Sequence, residues 1–149
     1  MNDKNKFSEI DNDLRRFLQA QQNIYPQVLK ELQSGKKTSH WMWFIFPQIE
    51  GLGHSSTAKY YSIKTIEEAK EYLGHPILGN RLLQCSNIIV GIENKNVDEI
   101  FGYPDNMKLR SCMTLFNFIS PEQRVFADVL EKYFSGEEDG QTLSILQNA

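Results

Sequence analysis

The stretch Asp105–Ile119, DNMKLRSCMTLFNFI, decides the fold class that the sequence predicts. At 100° per residue, five of its apolar side chains fall on one side of a helix, as expected for a helix that packs against a core. The stripe consists of Leu109, Cys112, Leu115, Phe116 and Ile119. We therefore predict a core-facing helix here.

Helical spacing recurs on both sides of this stretch. Pro26 suits the first turn of a helix, and Gly35 suits its end. Thr65 is followed three residues later by Glu68, which predicts a capping box at the start of another helix. Further helices are predicted from Asp11, from Pro76 to about Ile92 and from Ser120 to Phe134, with a last turn at Leu143 to Leu146.

Strand signals are weak in this chain. Trp43–Phe46 and Tyr60–Ile63 are candidates for a short extended piece, but nothing alternates for long. A length of 149 residues suits one domain with a single core. We therefore predict an all-α (mostly α) protein, with a single compact multihelical domain at residues 11–149 after a flexible tail at residues 1–10.

The composition is typical of a soluble globular protein, with 40% hydrophobic and 23% charged residues. The net charge of −3 gives no overall basic field that would draw the chain to nucleic acid or anionic lipid. Lys36, Lys37 and His40 nevertheless form a local basic group. We expect no nucleic-acid partner, and the acidic balance disfavours RNA binding through stacked bases.

The sequence also gives expectations about location and metals. The first ten residues, MNDKNKFSEI, are polar and lack the apolar core of a signal peptide. The longest apolar run, Trp41–Phe46, is far shorter than the about 20 residues of a spanning helix. Cys85 and Cys112 show no metal-ligand spacing, so buried thiols are favoured over reactive ones. We predict a cytoplasmic protein without membrane contact, metal or cofactor.

The segment Ser39–Ile63, SHWMWFIFPQIEGLGHSSTAKYYSI, differs from a plain core helix, and we call it the aromatic segment. It begins with large apolar residues, including Trp41 and Trp43, that would cover every side of a helix. A Gly-Leu-Gly turn, a hydroxyl cluster and two tyrosines, one of them Tyr61, follow. Packing is one interpretation of these aromatics. Because they cannot all face one core, we also expect some to line a cleft or to contact a partner.

Lys108 is the anomaly in the helical stripe, because it falls among the apolar residues while Arg110 projects to the far side. An unpaired buried ammonium is costly, so this lysine must reach water, pair with a carboxylate or bind an anion. Burial also lowers the pKa of a lysine toward values useful in catalysis. A structural ion pair and an anion-binding or catalytic role both remain open.

Three other polar residues are candidates for contacts. Gln48 lies at the mouth of the glycine turn, where it is expected to face a ligand. Gln21 lies on an apolar helix face, which favours the capping of a buried backbone group. Arg81 lies at the edge of an apolar stripe and is a candidate partner for a carboxylate or an anionic ligand.

His40 and His75 are the acid/base candidates near neutral pH. Pairing of Ser55 with His75 would suit nucleophilic chemistry, whereas a turn role is the other interpretation of a histidine before proline. Gly51 and Gly53 allow either a phosphate-binding loop or a tight turn, because a lone GxG is weak as a motif.

Four blocks of the sequence resemble a known family. SHWMWFIFPQ, GLGHS, EEAKEYLGHPILGNRL and IFGYPDNMKLRSCMTLF resemble the signature motifs of domain of unknown function 1810, over roughly Asp13 to Phe134. The resemblance implies an uncharacterised bacterial protein that is mainly helical, and it implies no activity. Polar and aromatic residues in the signature blocks include His40, Trp41, Trp43, Gln48, Ser55, Tyr61, His75, Arg81, Asp105, Lys108, Ser111 and Thr114.

The leading functional interpretation is a small-molecule cleft. One wall would come from the aromatic segment, with Trp41, Trp43, Gln48, Ser55 and Tyr61. Arg81, Lys108 and Ser111 would add polar and positive groups. Such a lining favours a phosphorylated or carboxylated molecule, including a nucleotide stacked on a tryptophan, and allows a hydrolase or a transferase.

The alternative is a non-enzymatic interaction module that uses the aromatic segment as a protein-contact patch. The sequence leaves the oligomeric state open.

Overall fold

The computed structural model describes residues 14–149, and this part of the chain is helical and contains no strand. Helix α1 occupies residues 14–21. It is followed by α2 (Tyr25–Gln33), α3 (Met42–Ile45), α4 (Ser56–Tyr60), α5 (Ile66–Gly74), α6 (Leu78–Val90), α7 (Val97–Ile100), α8 (Asp105–Ile119), α9 (Arg124–Phe134) and α10 (Gly140–Gln147). The predicted all-α class is confirmed. The predicted tail at residues 1–10 and the helix start at Asp11 lie outside the described residues.

Helix α8 lies at the centre of the fold. It begins at Asp105 and ends at Ile119, as the sequence predicts. It packs against α9, α5, α10 and α3, while α6 packs against α9, α5 and α2. The predicted stripe is buried at Leu109, Cys112, Leu115 and Phe116, and Ile119 is half-buried. Because α3 packs against α8, the Lys108 ammonium lies 4.8 Å from the centroid of the Trp43 ring, and the start of α8 thus meets the aromatic segment.

Local sequence signals explain several helix ends. Pro26 lies in the first turn of α2, and Gly35 has a φ of +75° just after it, a conformation that favours glycine. Thr65 accepts a hydrogen bond from the Glu68 N–H, as predicted. The predicted capping box is incomplete, however, because the Glu68 carboxylate accepts from the backbone N–H of Lys64 instead of the N-cap residue.

Three other local predictions need correction. Residues 43–45 are helical, not extended, and the second candidate extended piece contributes only an isolated parallel bridge between Ile49 and Ile63. Helix α9 begins at Arg124 because residues 120–123 form a turn closed by a backbone hydrogen bond. The last helix is longer than predicted because Asp139 caps it by accepting from the Thr142 N–H.

Helices α5 and α6 approach each other closely at Gly79. A Cβ atom at this position would lie 1.9 Å from the carbonyl oxygen of Leu73. No side chain fits at that distance, so the glycine in the block GHPILGNR has a packing reason. This approach fixes the start of α6, which carries Arg81.

No helix in the described part of the chain is both long and apolar enough to cross a membrane.

Candidate functional site

The aromatic segment divides between the core and the surface. Trp41 is fully buried at 0% exposure, and Met42, Ile45 and Phe46 are buried with it. Trp43 is half-buried. The expectation that Trp41 lines a ligand cleft is therefore wrong for this structure, because no surface of its ring is accessible.

Glu31 holds Trp41 in place through a network of hydrogen bonds. Its carboxylate accepts from the Trp41 indole N–H at 3.0 Å and from the backbone N–H groups of Thr38 and Ser39 at 2.6 and 2.9 Å. The Ser39 hydroxyl and the Gln27 amide donate to its other oxygen at 2.6 and 2.9 Å. Five hydrogen bonds thus satisfy a carboxylate that is only 4% exposed.

The hydrogen bonds determine the charge state of Glu31. Burial by itself raises the pKa of this carboxyl, but hydrogen bonds from Ser39, Thr38, Gln27 and Trp41 outweigh burial and lower the pKa to about 2. The group is therefore ionised at neutral pH.

A second charged cluster lies at the start of α8, and we call it the Lys108 cluster: Lys37, Trp43, Asp105 and Lys108. The Lys37 ammonium lies 2.8 Å from Asp105 Oδ2, donates to the Ser39 carbonyl oxygen at 2.5 Å, and has a side chain that is only 8% exposed. The Lys108 ammonium lies 3.5 Å from Asp105 Oδ1 and 4.8 Å from the centroid of the Trp43 ring. Two ammonium groups thus share one carboxylate.

Lys108 is the less satisfied of the two lysines. Its side chain is 21% exposed, and its ammonium makes no hydrogen bond to any residue that the structure describes. Three N–H groups in the first turn of α8 are occupied, since that of Asn106 donates to the Gly102 carbonyl oxygen and those of Met107 and Lys108 donate to the Pro104 carbonyl oxygen. The lysine side chains are therefore the main source of attraction for an anion at this site.

Two exposed apolar residues border this cluster along the chain. Tyr103 is 84% exposed directly before the helix cap, and Met107 is 40% exposed in the first turn of α8. Sequence reasoning missed both, although Met107 lies opposite the apolar stripe of α8, and a large apolar side chain there was a usable signal.

The predicted acid/base residues have different surroundings. His40 is exposed and forms no hydrogen bond within the described chain. It directly follows Ser39, whose carbonyl accepts from Lys37. His75 caps the start of α6, because its Nδ1 accepts from the N–H groups of Ile77 and Leu78 at 3.1 and 3.3 Å. The turn interpretation of His75 agrees with this geometry.

Two serines that were predicted as ligand-binding residues form hydrogen bonds with helix backbone. Ser55 is exposed and caps α4 by accepting from the Ala58 N–H, and no hydrogen bond joins Ser55 to His75 in the described chain. Ser111 is buried, and its hydroxyl donates to the Met107 carbonyl oxygen.

Tyr61 and Gln48 lie partly at the surface. The Tyr61 ring packs 5.3 Å from that of Phe44 and 6.1 Å from that of Phe17, and burial, with the nearby Tyr60, raises its pKa. The Gln48 carbonyl accepts from the Ile63 N–H, while its half-buried side chain has no hydrogen-bond partner among residues 14–149.

Arg81 belongs to a different group of residues. Its guanidinium donates to Gln21 Oε1 at 3.2 Å and lies 4.5 Å from the centroid of the Tyr25 ring. Gln21 in turn donates to the Phe44 carbonyl oxygen at 2.7 Å, which confirms that it caps a buried backbone group. No described contact joins Arg81 to Lys108, so the structure does not unite them in one cleft.

The glycine turn has packing reasons of its own. Gly51 has a φ of +109°, and a Cβ at Gly53 would lie 2.5 Å from the Ala58 Cβ. These constraints agree with the tight-turn interpretation.

The cysteines are free and buried, as predicted. Burial raises the pKa of Cys85 to about 11 and that of Cys112 well above its ordinary value. Among the described residues, no group of three His, Cys, Asp or Glu side chains is placed to hold a metal ion.

Comparisons with known proteins agree with the motif resemblance. The model of the family described as "Protein of unknown function (DUF1810)" matches residues 11–146. The chain is also similar to the crystal structure of the conserved hypothetical protein Rv1873 from Mycobacterium tuberculosis. The two are 44% identical, the match covers 91% of this chain and 96% of that chain, and the TM-score is 0.89. No curated protein matches the chain.

Proposed function

We propose that this chain, which belongs to the DUF1810 family, binds a small anionic molecule at the Lys108 cluster. The supporting observation is the state of the Lys108 ammonium. It is mostly desolvated, makes no hydrogen bond within the described chain, and faces a carboxylate that Lys37 already pairs at 2.8 Å. A desolvated ammonium with spare donors gains most from a ligand that supplies charged acceptors.

The surroundings favour a phosphorylated or carboxylated molecule. Two lysines and one aspartate leave one positive charge in excess, and Trp43 supports the ammonium from one side. Lys108 lies over the Trp43 ring, so Tyr103, an exposed ring directly before the cap of α8, is our candidate for stacking a nucleobase or another planar group.

His40 is the acid/base candidate that remains compatible with a hydrolase or transferase reaction at this site. It is exposed and follows Ser39, which contacts Lys37. His75 is engaged at the start of α6.

The test is a thermal-shift screen against nucleotides, sugar phosphates and carboxylates at constant ionic strength. A ligand that binds only the folded state raises stability by RT ln(1 + [L]/Kd), so its effect rises with concentration. We expect such a rise in the wild type and in the control Lys70→Met, which removes an exposed lysine of α5. We expect none in Lys108→Met. The proposed site would be contradicted if no ligand of the panel raised the melting temperature, or if Lys108→Met were stabilised as much as the wild type.

A second candidate is a protein-contact surface, which the exposure of Tyr103 and Met107 favours. It predicts that no ligand of the screen stabilises the protein. It also predicts a partner protein that co-purifies with the wild type and is lost in Tyr103→Ala. The anion site predicts the opposite result in the screen.

A further inference from the structure

A cavity of about 350 Å³ lies between α1 and the start of α6, away from the Lys108 cluster. Leu18 and Gln19 of α1, with Gln22 just after this helix, line it on one side, and Ile77 and Arg81 line it on the other. Its exposed wall is mostly apolar, although three of the five lining residues carry polar groups. Ile77 is 45% exposed, which is unusual for a large apolar side chain without a partner. The volume falls at the small end of the range for ligand pockets.

The charged residue of this cavity has spare hydrogen-bonding capacity. A guanidinium carries five N–H donors, and Arg81 uses one of them in the bond to Gln21 Oε1. Tyr25 covers one face of the guanidinium at 4.5 Å. No carboxylate pairs with Arg81 among the residues that the structure describes. Arg81 is therefore a half-buried cation that lacks a counter-charge.

The position of Arg81 is fixed by a buried network. Gln21, which is 1% exposed, donates to the Phe44 carbonyl oxygen at 2.7 Å and lies 3.1 Å from the Tyr72 hydroxyl. Both partners hold the Gln21 amide so that its oxygen faces Arg81. A guanidinium held in this way loses little conformational freedom when it binds an anion.

Backbone donors do not compete for the role of Arg81. The N–H groups of Ile77 and Leu78, at the start of α6, already donate to His75 Nδ1. The side chain of Arg81 is thus the cationic donor group of the cavity lining.

We propose that this cavity binds a small aliphatic carboxylate. The carboxylate would take two parallel hydrogen bonds from Arg81, and the hydrocarbon part would cover Leu18 and Ile77. A free phosphate suits the cavity less well, because it has no hydrocarbon part to cover Leu18 and Ile77. A neutral alcohol would leave the charge of Arg81 uncompensated.

Hexanoate is a suitable probe, with hexanol as the uncharged match and hexylammonium as the match of opposite charge. Binding would be followed by two-dimensional NMR of the full chain at constant ionic strength, through the Leu18 and Ile77 methyl signals and the Arg81 Nε–H signal. We expect saturable shifts with hexanoate and much weaker shifts with the other two molecules. Equal saturation by hexanol would overturn the proposal, because it would show a merely apolar cavity.

Two variants test the charge separately. Arg81→Gln removes the guanidinium and is expected to weaken hexanoate binding about tenfold or more. Because this change also removes a partner of Gln21, Ile77→Glu serves as a second variant. It alters an exposed residue at the mouth and adds a repelling charge, so binding should weaken by a similar factor. Unchanged hexanoate binding in a folded form of either variant would refute the assignment.

Lys108→Met separates this cavity from the proposed anion site. Hexanoate shifts at Leu18 and Ile77 should be unaffected in Lys108→Met, and phosphate binding at the Lys108 cluster should be unaffected in Ile77→Glu. Loss of the hexanoate shifts in Lys108→Met would overturn the claim of a separate site, and it would leave the proposed function standing.

Discussion

Glu31 and Lys108 are charged residues that contact the two tryptophans of one short segment, and they differ in how fully they are satisfied. The Glu31 carboxylate, beside Trp41, accepts five hydrogen bonds. The Lys108 ammonium, beside Trp43, donates no hydrogen bond within the described chain, and its nearest carboxylate oxygen is 3.5 Å away. A buried charge with all its partners stabilises a fold, whereas one without them is available to a ligand.

The largest expected effect is on the Glu31 side of this comparison. Glu31→Gln removes the charge and replaces one of two acceptor oxygens with a donor amide. In either orientation this amide faces groups that now donate: Thr38, Ser39 and Trp41 on one side, or the Ser39 hydroxyl and Gln27 on the other. We expect the free energy of unfolding to fall by about 3 kcal/mol, as for other broken buried charge networks. Urea unfolding followed by circular dichroism measures this.

Glu93→Gln is the matched control for this change. Glu93 is exposed and makes no ion pair or side-chain hydrogen bond to the described residues, so its replacement should alter stability by less than about 0.5 kcal/mol. Similar losses in both variants would show that the Glu31 network does not stabilise the fold.

The pH dependence of stability tests whether the Glu31 carboxylate stabilises the fold in its ionised form. The pKa of Glu31 is lowered from 4.5 to about 2, so the folded state binds this proton more weakly than the unfolded state. The stabilisation is fully present above about pH 4.5 and is lost as pH falls through about 2. The difference in unfolding free energy between wild type and Glu31→Gln should therefore shrink over this range. A constant difference from pH 6 to pH 2 would contradict the assigned ionisation.

Asp105→Asn perturbs the other side of the comparison. It leaves Lys37 and Lys108 without their shared carboxylate, so we expect a loss of about 1–2 kcal/mol in phosphate-free buffer. Phosphate affinity should rise about tenfold, because both ammonium groups become available. Calorimetric titration measures the affinity, and restored stability in phosphate provides a second readout. Weaker phosphate binding in Asp105→Asn would mean that the aspartate itself helps to hold the ligand.

Lys108→Met should have a small effect on stability. Asp105 keeps its 2.8 Å pair with Lys37, and methionine can still cover Trp43, so we expect a change below about 1 kcal/mol without ligand. A loss of unfolding free energy as large as that of Glu31→Gln would show that Lys108 stabilises the fold, as Glu31 does. The contrast between the two residues would then be wrong. Chemical denaturation in phosphate-free buffer decides between these outcomes.

Tyr103→Ala should have the smallest effect. The side chain is 84% exposed, so its removal should change the unfolding free energy by less than about 0.5 kcal/mol. Weaker binding of nucleotides, with unchanged binding of inorganic phosphate, would place this ring against the base in the proposed site. Equal losses for both ligands would show that Tyr103 does not discriminate by stacking.

Much of the fold could be predicted because helical spacing and end signals are local. The stripe of α8 and the proline of α2 gave the correct elements, and Gln21 was recognised as a buried cap from its apolar neighbours. Trp41 and Trp43 could not be sorted into core and surface, because α3 is a single short turn between irregular segments and has no usable period.

The candidate site was less predictable because its parts are distant in the chain. Lys108 stood out against its own helix, but its charge balance depends on Lys37, which precedes α8 by more than sixty residues. Glu31 was not singled out from the sequence, since nothing in its own helix shows that its partners lie in the loop that follows α2. Arg81 was recognised as an anion partner but was placed with Lys108, because periodicity within single helices does not show which residues share a cavity.

Tryptophan fluorescence during a phosphate titration tests the central claim most directly. Trp43 lies against Lys108 and Trp41 is shielded in the core, so an anion at Lys108 should alter the emission of Trp43. At constant ionic strength we predict a saturable change in the wild type and in Lys70→Met, and no saturable change in Lys108→Met. The same saturation curve in Lys108→Met as in the wild type would contradict the claim that Lys108 binds an anion.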